Sequence, residues 1–300
     1  MKILSVAAQA SLVSVGLLLV GCGGGGSGGG GVGSTPNPVT YKKFDELTGN
    51  QTFKTAGVAV NGLSLSPRAR YPYGTGVVAR YLVTPDSIEI DLPQSGEGTI
   101  SFTAADRDQV SQFADSISFS KLENNVSTFA AIWTPMVGGV PLSYVRGGLA
   151  GKVDLAALSG TSYAAVFGVP TQSGDMPKSG SASYSGKVQG VMVDTGSGFI
   201  YRFTPSSTVT LTSDFSAGSV STQLTLVGDS GATGATPVNF GNFSGTGTIA
   251  ASGPGFSGSF SSVNGAFEGA FFGPKAAEMG YAFNFDGASY RAVGVAAGKK

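Results

Sequence analysis

The sequence predicts an all-β protein: a C-terminal eight-stranded antiparallel β-barrel preceded by an irregular β-rich handle domain. Three observations carry this expectation. From about Ser181 onward, apolar and polar residues alternate with period two in one segment after another, the mark of half-buried antiparallel strands. The apolar faces of those segments mix Phe with Gly, which suits a closed barrel: large rings need neighbours without side chains, and Gly tolerates the coiling of closure. Finally, 48 Gly in 300 residues is about twice ordinary usage, yet 19 Phe and 10 Tyr are far more aromatic content than disordered chains carry.

At the start of the chain, Met1-Lys2 precedes a mostly apolar stretch from Ile3 to Val20. This is the layout of a secretory signal, a short basic region followed by an apolar one. Interruption by Gln9, Ser11 and Ser14 leaves the stretch marginal for the ~20 apolar residues of a membrane-spanning helix. Leu19-Val20-Gly21-Cys22 follows, resembling the bacterial lipobox, in which the cysteine becomes residue one and is acylated. Residues 1–21 are therefore expected to be a lipoprotein signal peptide. Cys22, the only cysteine, is the expected lipidation site and membrane partner. Each buried methylene adds about 0.8 kcal/mol, and more than one acyl chain makes anchoring durable. Gly23, where inner-membrane sorting would place Asp, implies a lipid-anchored location at the outer membrane, exposed on the cell surface. Residues 22–38 form the expected tether; a Gly-rich run of this length spans roughly 20 Å as a flexible coil.

Residues 39–178 are the expected handle domain. Strand candidates there are Ala56 to Leu65, Val77 to Thr84, Ser87 to Leu92, Gly98 to Thr103, Thr128 to Trp133, Leu142 to Val145 and Thr161 to Phe167. Asp106 to Asp115 reads as a helical turn or a loop, with Val110 and Phe113 as a weak apolar face. The polar stretch Pro170 to Gly180, with Pro near each end, reads as the connector, so the barrel domain is placed at residues 179–300. Its clearest strands alternate Val209, Leu211 and Phe215, then Val220, Leu224 and Leu226, then Phe243, Gly245, Gly247 and Ile249, then Phe256, Gly258 and Phe260. Tyr184 to Val193, Gly265 to Gly273, Met279 to Asp286 and Ser289 to Ala296 complete the eight. Outward positions of the first four are Ser, Thr, Gln and Asp, where a transmembrane barrel would need an apolar band. Eight strands leave an interior that side chains fill, so a packed barrel is expected and not a pore.

The run Gly265-Ala266-Phe267-Glu268-Gly269-Ala270-Phe271-Phe272-Gly273-Pro274-Lys275-Ala276-Ala277-Glu278-Met279-Gly280 resembles the most recognisable segment of the transferrin-binding protein B barrel domain. Phe167 to Gly186 is similar to that family's entry into the barrel, and Asp214 to Val220 to its second hairpin. The resemblance is strong from Phe167 to Lys300 and only suggestive before it. It implies a surface lipoprotein that captures a ligand, most often in iron-related nutrient acquisition. A TonB-dependent receptor is a candidate partner. Relatives that bind complement regulators or haem leave the ligand open, and a structural, adhesive or host-factor-binding role without iron is the alternative.

Within the run, the residues themselves point to folding more than to binding. Phe267 and Phe271 are expected in the core, and Gly269 and Gly280 belong to the same structural motif. Gly273 lets the chain leave the strand, Pro274 presets a short helical turn, and Glu278 can accept hydrogen bonds from the N–H groups freed there. Ligand contacts are expected on handle loops, chiefly Arg68, Arg70, Tyr71 and Tyr73 in "RARYPYG", since Arg and Tyr together are common at interface hot spots.

Catalytic chemistry is not expected. Gly228-Asp229-Ser230-Gly231 and Gly160-Thr161-Ser162 look like serine-protease fragments, but that chemistry needs a histidine and the chain has none. Gly147 to Lys152 lacks phosphate-loop spacing. Zinc, copper and His-ligated haem lack their usual ligands, and Tyr71, Tyr73 and Tyr281, the residual candidates for haem iron, read as packing aromatics. No cofactor or metal site is expected. Lys+Arg 18 against Asp+Glu 18 gives no net charge and no reason to expect nucleic acid as a partner.

Overall fold

The computed structural model describes residues 40–82, 87–94, 96–111, 113–231 and 236–300. The signal peptide, Cys22 and the tether lie outside the described residues. Val39–Lys300 forms one compact unit.

The first half contains twelve strands among the described residues. They are β1 (Gln51–Lys54), β2 (Ala56–Asn61), β3 (Pro67–Tyr71), β4 (Val78–Leu82), β5 (Ser87–Asp91) and β6 (Thr99–Thr103). Then come β7 (Ser116–Glu123), β8 (Val126–Trp133), the two-residue pair β9 (Met136–Val137) and β10 (Val140–Pro141), β11 (Val145–Asp154) and β12 (Ser159–Gly168). They build two sheets besides the β9–β10 hairpin: a small one in the order β1-β4-β5-β6 and a larger one in the order β3-β2-β12-β11-β8-β7.

The second half contributes β13 (Ser181–Asp194), β14 (Ile200–Phe203), β15 (Thr208–Asp214), β16 (Ser219–Asp229) and β17 (Val238–Ile249). It finishes with β18 (Gly255–Phe260), β19 (Asn264–Phe272), β20 (Glu278–Asp286) and β21 (Tyr290–Lys299). All are antiparallel neighbours, and pairing of β13 with β21 closes the sheet. β13, β15 to β21 form the eight-stranded barrel. β14 is a short ninth strand that pairs with the end of β13 and with β16, filling the gap where β13 runs past β15.

Alternation places every side chain of the barrel, because neighbouring residues point to opposite faces. Tyr184, Met192, Leu211, Leu224, Phe256, Phe260, Phe267, Phe271, Tyr281, Phe283 and Phe285 are buried together inside it. Phe271 has three rings around it: Phe256 at 5.0 Å, Phe215 at 5.5 Å and Tyr184 at 5.7 Å between centroids. Small residues make room, as the Phe–Gly alternation predicts. A Cβ on Gly258 would lie 2.2 Å from the Phe267 ring, and one on Gly269 would lie 2.4 Å from Phe256. The barrel is a packed core.

Outside, the barrel has two characters. On β15 to β17, outward residues such as Thr210, Thr212, Ser221, Gln223, Thr225 and Ser244 are polar and mostly exposed. On β13 and β19 to β21, Val193, Ala270, Phe272, Ala282, Val293, Val295 and Ala297 form an apolar outer wall. The large handle sheet covers that wall with Ala56, Val58, Val60, Val145, Leu149, Ala164 and Val166. The opposite face of the same sheet, with Ala59, Ala130, Ala150 and Tyr163, packs on Ile88, Ile90, Ile100 and Phe102 of the small sheet. The architecture is thus three layers: small sheet, large sheet, barrel wall.

The handle departs from the expected strands in several places. The candidate Ala56 to Leu65 ends at Asn61, where the chain turns and Leu65 adopts a positive φ of 54°. The candidate Leu142 to Val145 touches only the start of β11, which runs on through Gly147, Gly148 and Gly151. Those glycines mask the strand in the sequence, but Gly147 is where the sheet meets the barrel: a Cβ there would sit 2.8 Å from Val295 and 2.9 Å from Trp133. β1, β3, β7 and β14 were not among the candidates, although Ile117 and Phe119 alternate visibly with Ser116, Ser118 and Ser120. The described residues of Asp106 to Asp115 form a loop after a short 3-10 turn at Ala104–Asp106.

Candidate functional site

The first half of the expected binding loop is strand, and Pro72 to Gly74 follow it as a turn. Arg68, Arg70 and Tyr71 lie in β3, at the edge of the large sheet, and the strand uses them internally. Arg70 donates from Nε to Oε1 of Glu268 at 2.8 Å, an ion pair between handle and barrel, and reaches the Gly258 carbonyl at 3.3 Å. Arg68 donates to the Gly160 carbonyl at 3.2 Å and to Thr161 Oγ1 at 2.7 Å. The Tyr71 ring packs on Tyr163, 6.2 Å between centroids. Tyr73 is half-buried against the barrel-facing core, and burial pushes its hydroxyl up to about 12. Arg70 turns to the barrel and Ala69 and Tyr71 to the small sheet, while Arg68, at a register shift in the β2–β3 pairing, reaches Thr161 on β12, so the four do not converge.

Glu268 is a buried carboxylate on the barrel's outer wall, with one oxygen on Arg70 and the other, Oε2, without a hydrogen-bond partner among the described residues. Burial pushes its carboxyl above the usual range, against the pull of the Arg70 guanidinium.

The Gly265–Gly280 run faces two ways. Phe267, Gly269, Phe271 and Met279 point into the barrel; Glu268, Ala270, Phe272, Glu278 and Gly280 point at the handle. Glu278 was expected to serve its own turn. Instead, its Oε1 accepts from Ser143 N at 2.6 Å, and its Oε2 accepts from Tyr144 N at 2.8 Å and Val145 N at 3.1 Å. It therefore holds the start of β11 in the handle. Its carboxyl is raised by burial, opposed by these three bonds. Gly280 lies where Val145 and Val166 press on the barrel; a Cβ would be 2.8 Å from Val145 Cγ2. Gly273 has φ +70°, and a Cβ there would meet the Tyr144 ring at 2.3 Å.

The turn after Gly273 also differs from expectation. Pro274–Ala276 is a 3-10 turn, but Lys275 and Ala276 have positive φ of 50° and 56°, unfavourable for residues with a Cβ. The surroundings hold it from several sides. Thr171 Oγ1 donates to the Gly273 carbonyl at 2.7 Å, Lys275 N to Asp175 at 2.8 Å, Tyr184 Oη to the Ala276 carbonyl at 2.8 Å and Lys300 Nζ to the Lys275 carbonyl at 2.7 Å. Tyr281, a residual haem-ligand candidate, is fully buried inside the barrel with its hydroxyl 2.8 Å from Thr222 Oγ1.

Two surface features lie outside this packing. The first is an apolar rim at one end of the handle. Hydrogen bonds between turns, Leu155 N to the Asn125 carbonyl at 2.9 Å and Gly62 N to the Gly160 carbonyl at 3.0 Å, bring the β7–β8, β11–β12 and β2–β3 turns together. They display Leu158 at 70%, Leu155 at 48% and Leu63 at 39% exposure, near Leu122 at 67% at the end of β7. Leu158 does so at a positive φ of 50°, where Gly or Asn is usual. The second is a cleft of about 590 Å³ running from Gly62 and Leu63 to Ile200 and Arg202 on the barrel. The sequence signalled the rim only as "DLAAL", a turn that Asp154 closes by accepting from Ala156 N and Ala157 N but whose other residues are apolar; the cleft had no signal, because its walls are remote in the chain.

Residues 176–300 match the family of C-lobe and N-lobe beta barrels of Tf-binding protein B. No curated protein sequence matches the chain. Among solved structures, intact Ap-TbpB with both lobes is 15% identical, over 82% of this chain and 46% of that one, with a TM-score of 0.48. A TbpB double mutant from Haemophilus parasuis Hp5 is 16% identical over 82% and 44%, TM-score 0.46. Isotype 1 TbpB from serogroup B Neisseria meningitidis is 16% identical over 74% and 51%, TM-score 0.38. The chain spans about half the length of these structures. From Met176 to Lys300 it is a closed β-barrel similar to those of transferrin-binding protein B, as the Gly265–Gly280 run implied.

Proposed function

We propose that the protein is a lipid-anchored surface protein, held at the outer membrane through acylated Cys22, that captures a macromolecular ligand through the apolar rim of its handle. It acts in iron-related nutrient acquisition and passes its cargo to a TonB-dependent receptor. It is a binding protein and not an enzyme.

The rim is the observation that carries the reading. Three exposed leucines on neighbouring turns, with Leu122 at the end of β7, are unusual, because turns are ordinarily polar, and exposed apolar surface of this kind marks interaction sites. A strained, exposed Leu158 contributes nothing to the core and so points to a surface role. Of the four residues expected to bind, Arg68 fits this surface: it is exposed and fixed to the Gly160 carbonyl beside the β11–β12 turn. Arg70, Tyr71 and Tyr73 serve the packing between layers. The iron assignment is supported by the matching barrel family, whose description names Tf-binding protein B.

A fragment from Ser34 onward keeps the whole compact unit and can be immobilised to retain serum glycoproteins, transferrin among them. Retention that Leu155→Ser with Leu158→Ser abolishes, at unchanged melting temperature, is the expected result. Retention of a non-iron host protein would move the reading to an adhesive or host-factor-binding role, and no effect of the double substitution would remove the rim from it. In cells, Cys22→Ala should abolish labelling by a palmitate analogue; equal labelling of mutant and wild type would sink the anchor.

A further inference from the structure

We propose that the gap between the two handle sheets binds a small neutral aromatic molecule. The site lies on the face of the large sheet turned away from the barrel, shares no residue with the leucine rim and does not depend on capture of a macromolecule.

The gap follows from the residues that meet across the sandwich. Alternation turns Phe53, Ala79, Ile88 and Ile90 of the small sheet inward, toward Ile117, Ile132, Gly148 and Phe167 of the large one. Stacked sheets lie ~10 Å apart, a distance that Ala79 and Gly148 do not fill. A cavity of about 210 Å³ results, lined by Phe44, Phe53, Ala79, Ile88, Ile132 and Phe167 among others. A void of about 30 Å³ adjoins it, sharing Ala79, Ile88, Ile132 and Phe167. Ala79, Ile117 and Ile132 are only half-buried, so the gap opens to solvent.

The walls select a ring. Phe44, Phe53 and Phe167 form one end, with centroids 5.3, 5.4 and 6.2 Å apart. These spacings fall in the roughly 4.5–7 Å range at which aromatic rings attract, so a further ring can join them. An apolar cavity of about 150 Å³ takes up benzene, which leaves room here for a ring with a small substituent.

Charge then excludes ionic ligands. Arg80 borders the cavity, but its guanidinium turns to the outer face of the small sheet, where Nη1 donates to Asp91 Oδ1 at 2.7 Å and lies 3.8 Å from Glu89. Arg146 is buried beside Phe44 and already engaged: it donates to the Leu142 and Val145 carbonyls at 2.7 and 2.8 Å, and its guanidinium covers the Phe44 ring at 4.3 Å. Gln51 Nε2 donates to the Thr48 carbonyl at 2.6 Å, and Tyr81 is engaged as well. Arg146 would repel a cation, and an anion would meet no guanidinium that lacks partners. An uncharged ring is the class that fits.

The test uses the fragment from Ser34 onward with toluene as the probe, followed by NMR titration. Saturable one-to-one binding is expected, with shifts at the Ala79 and Ile132 methyl groups. Benzoate and benzylammonium should bind roughly tenfold more weakly or worse, because a charge without a partner is costly to bury. Methylcyclohexane should bind a few-fold more weakly, for want of ring–ring contacts. Ala79→Leu and Ile117→Phe, which fill the gap from opposite sheets, should each remove toluene binding without lowering the melting temperature. Should either variant unfold, the methyl shifts of the wild type locate the site on their own. Leu155→Ser with Leu158→Ser should leave binding unchanged, which separates this site from the rim. Absence of saturable binding, methyl shifts confined to other parts of the chain, equal binding of any of the three comparison compounds, or toluene binding that survives both filling variants would each overturn the proposal. A dimer that Ala79→Leu converts to monomer would place a second copy of the chain in the gap and overturn it as well.

Discussion

Replacing Glu278 with alanine tests the claim that the handle is fastened to the barrel from the barrel's side. Glu278 is the only acceptor shown for three consecutive backbone donors, Ser143, Tyr144 and Val145, at 2.6, 2.8 and 3.1 Å. A buried donor left unsatisfied costs about 1–3 kcal/mol, whereas a donor that water can reach costs much less. The Val145 bond is buried; those of Ser143 and Tyr144 are half-buried and can be rewetted in part. Removing the carboxylate also relieves its desolvation, which partly offsets the loss. The net expectation is about 2–4 kcal/mol. For a unit of this size each kcal/mol moves the melting temperature by ~2–4 °C, so a fall of roughly 5–15 °C is expected. Glu278→Gln, which keeps one carbonyl acceptor, should cost about half as much. The assay is thermal melting together with amide hydrogen exchange. Faster exchange should appear at Ser143 to Val145, more than 130 residues away in sequence. An alanine variant that melts within a degree of wild type, or that loosens only Pro274 to Ala277, would refute the clamp and restore a local capping role.

Three further expectations follow from the same geometry. Phe271→Ala should leave a cavity among Tyr184, Phe215 and Phe256 and cost ~3–5 kcal/mol, with ligand capture lost only through unfolding; a variant that melts like wild type yet binds nothing would move the binding site onto the barrel. Because burial raises the Glu268 carboxyl in the folded state, the stability it contributes is present below the unfolded value, near pH ~4.3, and is lost as pH rises through the folded value. The melting difference between Glu268→Gln and wild type should accordingly favour the mutant more at pH 7 than at pH 4, and a pH-independent difference would contradict the assignment. A fragment from Ser179 to Lys300 should retain a β-type circular dichroism spectrum, since the barrel closes on itself, but expose Ala270, Phe272, Val293 and Val295 and self-associate. Random coil would break the domain assignment, and a stable monomer would show that the handle is not needed to cover the wall.

The barrel was legible in the chain because its information is local. Period-two alternation from Val209 to Phe260 fixes which side chains enter the core, and Gly258 and Gly269 sit where rings need space, a relation between neighbouring strands. The handle was less legible for a physical reason. Its large sheet is buried on both faces, so β2, β11 and β12 carry small and apolar residues on either side and lose the alternation that marks a half-buried strand. Gly147 and Gly148 in β11 look like breakers until Val295 and Trp133 are seen against Gly147.

The sequence by itself determined the fold class, the filled interior of the barrel and, through the Gly265–Gly280 run, the likeness of the C-terminal domain to the transferrin-binding protein B barrels. It also contained one face of that run's purpose, the inward Phe267 and Phe271. Only the tertiary structure decided the other face: Glu268 paired with Arg70, Glu278 gripping the start of β11, Gly280 yielding to Val145. It likewise decided that Arg68 to Tyr71 form an edge strand whose side chains are tied to β12, the barrel and the small sheet, and that the exposed leucines lie on three neighbouring turns and the end of β7. These are contacts between segments 100 to 200 residues apart. Their partners are chosen by which sheet comes to lie on which wall, and no periodicity within either segment encodes that choice.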